Sequence, residues 1–295
     1  MKAWLLLIML GLAWAARLIA IKATAAAASP IDIVFLATAG VFILTSSLNA
    51  FRRRSMPVSV RHVRFYLIAG IFGFGAPFFV ETIVAPHLKG LAFVVIVTST
   101  PVWVAFLGLL SRAETLSRHR AASVGIGFFA TVLVLVGSNL DADLTFESAS
   151  MAWYGLALLI PALYALYILY VVKFWPAGLD NMQGAQGQAL VALLIFSVIW
   201  TTSGSNPVLM MQPDVAMPLF AIVLAEVSGL ILLFKLARSE GGNFTAQANY
   251  IAVFFGSALG VALFDQTANF FAALGAVLLV FAMWLSSRAA NTVEG

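Results

Sequence analysis

Residues 4–24, WLLLIMLGLAWAARLIAIKAT, carry one charged side chain, Arg17, before Lys22 near their end. A run of about 20 apolar residues is what a helix needs to cross the hydrocarbon core of a bilayer. A soluble core has no use for many such runs, yet the pattern recurs along the whole chain. The hydropathy pattern predicts spans at 4–24, 32–50, 65–84, 90–110, 121–139, 151–172, 185–203, 217–237, 245–263 and 269–286. The expected fold class is an all-α integral membrane protein with ten transmembrane helices.

Composition agrees. Of 295 residues, 62% are hydrophobic and 9% charged, against roughly 25% charged in a soluble domain. The net charge of +4 and pI near 9.6 could suggest nucleic acid, but a bias of Lys and Arg toward cytoplasmic loops explains it better. No cysteine is present, which excludes disulfides, thiolate metal sites and cysteine nucleophiles. His62, His87 and His119 lie near loops and offer little for a metal centre. No phosphate-cradling Gly-x-x-x-x-Gly-Lys-Ser/Thr loop occurs, nor a His-Glu-x-x-His or Gly-x-Ser-x-Gly signature. Neither an enzyme nor a cofactor is expected. The first span followed by Ala23–Ala28 superficially resembles a signal peptide. Arg17 and Lys22 interrupt that reading, so an uncleaved first helix is expected.

An N-terminus on the cytoplasmic side puts every Lys and Arg there except Arg17, Lys22 and Lys89. It leaves Asp32, Asp141, Asp143, Glu147, Asp214 and Asp265 in outer loops, and it makes the C-terminus cytoplasmic too. Trp4, Trp175 and Trp284 then mark inner ends and Trp153 and Trp200 outer ends, as interfacial belts do. Trp14 and Trp103 fall well inside their spans and need another role, in packing or in lining a cavity.

The acidic stretch Asp141–Glu147 divides the spans into two sets of five, at residues 1–140 and 150–288. An odd number per set turns the second copy upside down, the inverted-repeat plan that places a binding site near the midplane. Pro101–Gly108 leading to Glu114-Thr115 has a counterpart in Ala252–Gly260 leading to Asp265-Gln-Thr267. The third and eighth spans both turn tightly into the next, at Leu88-Lys-Gly90 and Ser239-Glu-Gly-Gly242.

On these residues the chain resembles the EamA-type permeases of the drug/metabolite transporter superfamily. The resemblance rests on Trp14 through Lys22, on Ala92 to Glu114 with Pro101 and Gly108, on Gly125 and Gly137, and on Ala246-Gln-Ala-Asn-Tyr250. Ala15, Ala16 and Arg17 depart from the family's small-polar triplet after the tryptophan, and span nine lacks the proline kept in span four. The resemblance implies two inverted five-helix repeats in a bacterial inner membrane and secondary transport of a small organic solute. It favours export of amino acids, related metabolites or amphipathic drugs. An uptake permease or a channel-like facilitator is the alternative.

Charges inside a membrane are costly unless paired or hydrated, so each is a functional candidate. Arg17 shares a helix face with Trp14, three residues earlier. Glu226 lies near the centre of span eight. The two are expected to face one central cavity, where they pair or bind the charged ends of a zwitterionic or anionic solute. The competing reading is an ion pair that only fixes packing. Glu81 is expected in the outer third of span three, within reach of interfacial water, and Lys22 is expected to snorkel outward. A carboxylate with its pKa raised by desolvation would permit proton coupling. Trp103 and Tyr250, with Trp14, are the leading aromatic candidates to stack on a solute. Tyr164 and Tyr167 follow, spaced by three in span six. Pro77, Pro101 and Pro161 are expected inside helices as kinks. The expected partners are the solute, protons and membrane lipid, with no nucleic acid; the oligomeric state is left open.

Overall fold

A computed structural model describes residues 2–25, 27–88, 93, 96–97, 99–111, 118–137, 148–203, 212–264 and 270–291. Every regular element among them is helical. In chain order these are α1 (Lys2–Ala25), α2 (Pro30–Phe51) and α3 (Val60–Ile68), which continues through a π-helical turn (Ala69–Gly75) into α4 (Ala76–Val84). Then come α5 (Thr100–Leu110), α6 (Arg118–Gly137), α7 (Ser148–Ala157), α8 (Leu159–Phe174) and α9 (Asn181–Thr202). The chain ends with α10 (Pro213–Glu240), the short α11 (Gly242–Ala246), α12 (Ala248–Phe264) and α13 (Phe270–Asn291).

Among the described residues, six helices are long and apolar enough to cross a membrane: Lys2–Ala25, Pro30–Phe51, Val60–Val84, Ala152–Phe174, Asn181–Thr202 and Pro213–Glu240. Thr100–Leu110 is a shorter apolar helix within the expected fourth span, and Ala121–Ala130 is another within the fifth. Lys89, Glu114, Asp141, Asp143, Glu147 and Asp265, which figured in the loop assignments above, lie outside the described residues.

Local chemistry sets the ends. Ser29 caps α2, its hydroxyl accepting from the Asp32 amide at 3.2 Å, with Pro30 as first helical residue. Asp180 caps α9 in a reciprocal capping box with Gln183. Gly241, at φ 85°, closes α10 in a conformation that costs glycine no steric penalty.

Pro77 and Pro161 lie within continuous membrane-length helices beside local distortions, and Pro101 opens a helix. Pro101 sits in the first turn of α5, where a missing N–H costs no hydrogen bond, while Pro77 follows the π turn inside the continuous Val60–Val84 helix. Pro161 follows a break at Leu158 that separates α7 from α8. A proline ring clashes with the carbonyl four residues upstream. In the third span that upstream stretch is the π-helical turn, so the distortion precedes the proline. Pro218 lies inside α10, beyond its first turn.

The packing has an internal order. With the segments numbered one to ten along the chain, α1 (one) packs on α10 (eight) and α12 (nine). Correspondingly, α8 (six) packs on the π turn and α4 (three) and on α5 (four). Segment two, α2, meets segment seven, α9, while segment five, α6, meets segment ten, α13. Segment eight also meets two, as three meets seven. Exchanging each segment with the one five places away maps these pairings onto themselves.

Candidate functional site

The helix faces of α1 and α8 turn the same pattern toward the centre. Trp14, Arg17 and Leu18 on α1, and Tyr164, Tyr167 and Ile168 on α8, all line one cavity. Both triplets have the spacing i, i+3, i+4 that gathers side chains on one side of a helix. The π turn and α4 add Gly73 and Glu81, and α10 adds Glu226 and Gly229. Val97, Thr100 of α5 and Asn249 of α12 complete the ends of the wall that concern polarity and closure.

Arg17 is the hub. It is only 4% exposed. Its Nη2 lies 2.6 Å from Glu81 Oε2 and donates to the Tyr164 hydroxyl at 3.1 Å. Its Nε donates to Glu226 Oε1, and the guanidinium carbon sits 4.9 Å from the centre of the Phe78 ring. One cation from segment one thus holds carboxylates from segments three and eight and a phenol from segment six. A planar guanidinium presents donors in several directions at once, which an ammonium could not do without losing its fixed fork. Removing such groups from water costs several kcal/mol per ion, so mutual attraction alone rarely makes them a stability device.

The aromatic wall is held from behind. The Tyr167 hydroxyl donates to Gln188 Oε1 of α9 at 2.7 Å, and both residues are buried. Tyr167 can stand there because residue 73 has no side chain. Gln188 is a part of the site that sequence reading missed; it is the last of three glutamines, after Gln183 and Gln186, at the start of an apolar run. Asn249 and Thr100 were missed as well, although Asn249 stands within the Ala246–Tyr250 segment that carried the family resemblance.

Several expectations change. Trp14, Arg17, Glu81, Tyr164, Tyr167 and Glu226 come together at the cavity, whereas Trp103 and Tyr250 do not line it. Trp103 is half-buried against the core. Tyr250 instead lies under α6, where its hydroxyl donates to the Val124 carbonyl at 3.4 Å and its ring covers Gly127. Glu81 is fully buried, not interfacial. The reason is that its carboxylate turns inward to Arg17 and the cavity wall. Lys22 does not snorkel freely: its Nζ donates to the carbonyls of Ala85 and Leu88, at 2.9 and 2.7 Å, and so ties α1 to the end of α4. Tyr170, the third tyrosine of the series, stacks on Phe65 at 5.6 Å, outside the cavity.

Residues 1–136 match the model of the EamA-like transporter family. That N-terminal part of the chain is similar to the family. The EamA-like match covers α1 through nearly all of α6, and thus contributes Trp14, Arg17, Glu81 and Thr100 to the cavity. A protein of known crystal structure, 16% identical, shares the fold with a TM-score of 0.79 over 100% of this chain and 99% of its own. No curated protein matches the sequence.

Proposed function

We propose that the chain is a secondary transporter that carries a small organic solute through the Arg17 cavity by alternating access. The single observation behind this reading is a buried cluster of three ionisable groups facing a cavity walled by segments from both ends of the chain. Charges so placed mark solute or ion pathways in membrane proteins. The exchange pattern of the packing supports a division into two inverted five-helix units, residues 1–140 and 150–288, with the site between them. Rocking of one unit against the other would open the cavity to alternate sides. Both termini are cytoplasmic in this proposal, the membrane is a bacterial inner membrane and the working direction is export. Amino acids, related metabolites and amphipathic drugs are the solutes to test first. The pair of carboxylates facing one guanidinium gives a coupled proton a place to bind, at Glu81 or Glu226, with Arg17, Tyr164 and the other carboxylate around it.

The test is counterflow in reconstituted vesicles, in which unlabelled solute inside drives uptake of labelled solute. Wild-type protein should catalyse it for a solute that thermally stabilises the purified protein. Glu226→Gln should abolish it or uncouple it from a pH gradient while keeping a monodisperse, helical protein. Unchanged coupled counterflow in that variant would remove Glu226 from the mechanism.

A further inference from the structure

The charges facing the cavity do not balance. Glu81 and Glu226 oppose Arg17, and Thr100, Asn249, Tyr164 and Tyr167 are neutral side chains. Lys22, the nearest candidate for a second cation by sequence, spends its ammonium on the Ala85 and Leu88 carbonyls. Among the described residues no other basic side chain lines the cavity. With all three groups ionised, the site carries one excess negative charge.

The excess is localised. Arg17 gives Nε to Glu226 and Nη2 to Glu81 and Tyr164, while Phe78 covers the guanidinium. A solute carboxylate approaching Arg17 would therefore meet two carboxylates already there. Glu81 is 0% exposed, its Oε2 faces Arg17, and the Tyr164 hydroxyl also hydrogen-bonds to the carboxylate, so Oε1 has no cation of its own. A buried charge without its own counter-ion is costly. Trp14, Tyr164 and Tyr167 line the same cavity, and aromatic ring faces attract cations.

Building on the transporter reading, we propose that the cavity selects a monocationic solute with an aromatic or apolar body, its positive nitrogen paired with Glu81 Oε1. This excludes the anionic solutes that Arg17 alone suggested, and it ranks zwitterions below simple amines.

The test uses four ligands that share one ring and differ in charge: 2-phenylethylamine, 2-phenylethanol, 3-phenylpropanoate and phenylalanine. Calorimetry on the purified full-length protein should show the amine binding at least tenfold tighter than the alcohol or phenylalanine, with no binding of the propanoate. In Glu81→Gln the amine should lose at least tenfold in affinity and its advantage over the alcohol. The wild-type ligand series stands by itself if that variant does not fold. Tighter binding of the propanoate or phenylalanine than of the amine overturns the proposal, as does failure of all four to bind, or an unchanged amine affinity in a folded Glu81→Gln. Vesicle counterflow with trimethyl(2-phenylethyl)ammonium, whose charge is permanent, separates this idea from the transporter reading. Binding without counterflow rejects transport and retains cation selectivity. Counterflow of phenylalanine or the propanoate alone retains transport and rejects cation selectivity.

Discussion

Gly73 lies against the ring of Tyr167: a Cβ added to the glycine would stand 2.2 Å from the tyrosine Cδ2. The π turn therefore meets α8 at a distance only glycine allows, and it fixes one wall of the cavity. Gly73→Ala should push the ring into the cavity or the π turn off α8. Overpacking of this kind costs about 1–3 kcal/mol, so the melting temperature should fall and solute binding weaken. Gly125 meets nothing within 4 Å and is the control. Gly125→Ala should leave both measurements unchanged, and equal losses in the two variants would refute a packing role specific to Gly73.

Arg17→Ala leaves Glu81 and Glu226 buried without their cation. Removing one partner of a buried ion pair costs about 3–5 kcal/mol, and the loss should show as a lower melting temperature in detergent. Adding Glu226→Gln to Arg17→Ala should recover part of it, because one of the stranded charges disappears and coupled residues do not add. Arg17→Lys should keep the charge yet fail to hold both carboxylates. A double variant no more stable than Arg17→Ala alone would mean that Glu226 does not depend on Arg17.

The membrane character and the central charge pair were legible in the sequence because length and charge are one-dimensional signals. Trp14 and Arg17 share a face by spacing alone, and Glu226 interrupts an apolar run with no local partner. The depth of Glu81 was not legible. Distance along segment three suggested water, but burial depends on Arg17 of α1 meeting the carboxylate from another segment. Tyr250 misled for a similar reason. An aromatic beside a polar motif reads as a binding residue, whereas its partner, the space above Gly127, comes from a distant segment. The π turn had glycines as its only signal, and glycines in an apolar helix also serve plain helix contact.

Tyr167 and Gln188 form a buried side-chain pair between α8 and α9, and the Gln188 Nε2 has no partner. Tyr167→Phe would leave the Gln188 Oε1 bare too, a loss of about 1–3 kcal/mol by the cost of an unsatisfied buried group. Tyr167→Phe combined with Gln188→Leu should be less harmful than the sum of the two, with a coupling of about 0.6 kcal/mol as membrane proteins show on average. Melting temperatures of the four proteins in one detergent give the cycle. Strict additivity would mean that the hydrogen bond contributes nothing.

Asp180 serves two structures at once, capping α9 through the Met182 amide at 2.8 Å and pairing with Arg52 at 3.1 Å. Partial burial alone would raise its pKa, but the Arg52 hydrogen bond, the Met182 amide and the Arg52 charge together hold it below the usual aspartate value. Stability from this source is therefore complete above the unfolded value, about 3.9, and fades as pH falls through the lower folded value. Asp180→Asn keeps an acceptor for the cap and loses the ion pair. The pair is partly exposed, so its loss should cost under about 1 kcal/mol. Asp180→Ala loses the cap too, for about 1 kcal/mol more. Thermal melts of the three proteins at pH 7 and at about pH 2, below both values, should show the wild type converging on Asp180→Asn at the lower pH. Parallel curves would refute the linkage.

Topology can be tested with single cysteines, since the chain has none of its own. Arg52, Arg53, Arg54, Arg61 and Arg64 flank the turn between α2 and α3, and Arg52 meets Asp180 at the start of α9. These two turns must lie on one side, the side that basic residues favour in the cytoplasm. Ala27, between α1 and α2, lies one crossing away. Ser55, Ala177 and Ala27 are all exposed, so each accepts a cysteine. In intact cells a membrane-impermeant maleimide should label Ala27→Cys and spare Ser55→Cys and Ala177→Cys until the membrane is opened. Labelling of Ser55→Cys in intact cells would invert the orientation, and opposite behaviour of Ser55→Cys and Ala177→Cys would contradict the Arg52–Asp180 contact itself.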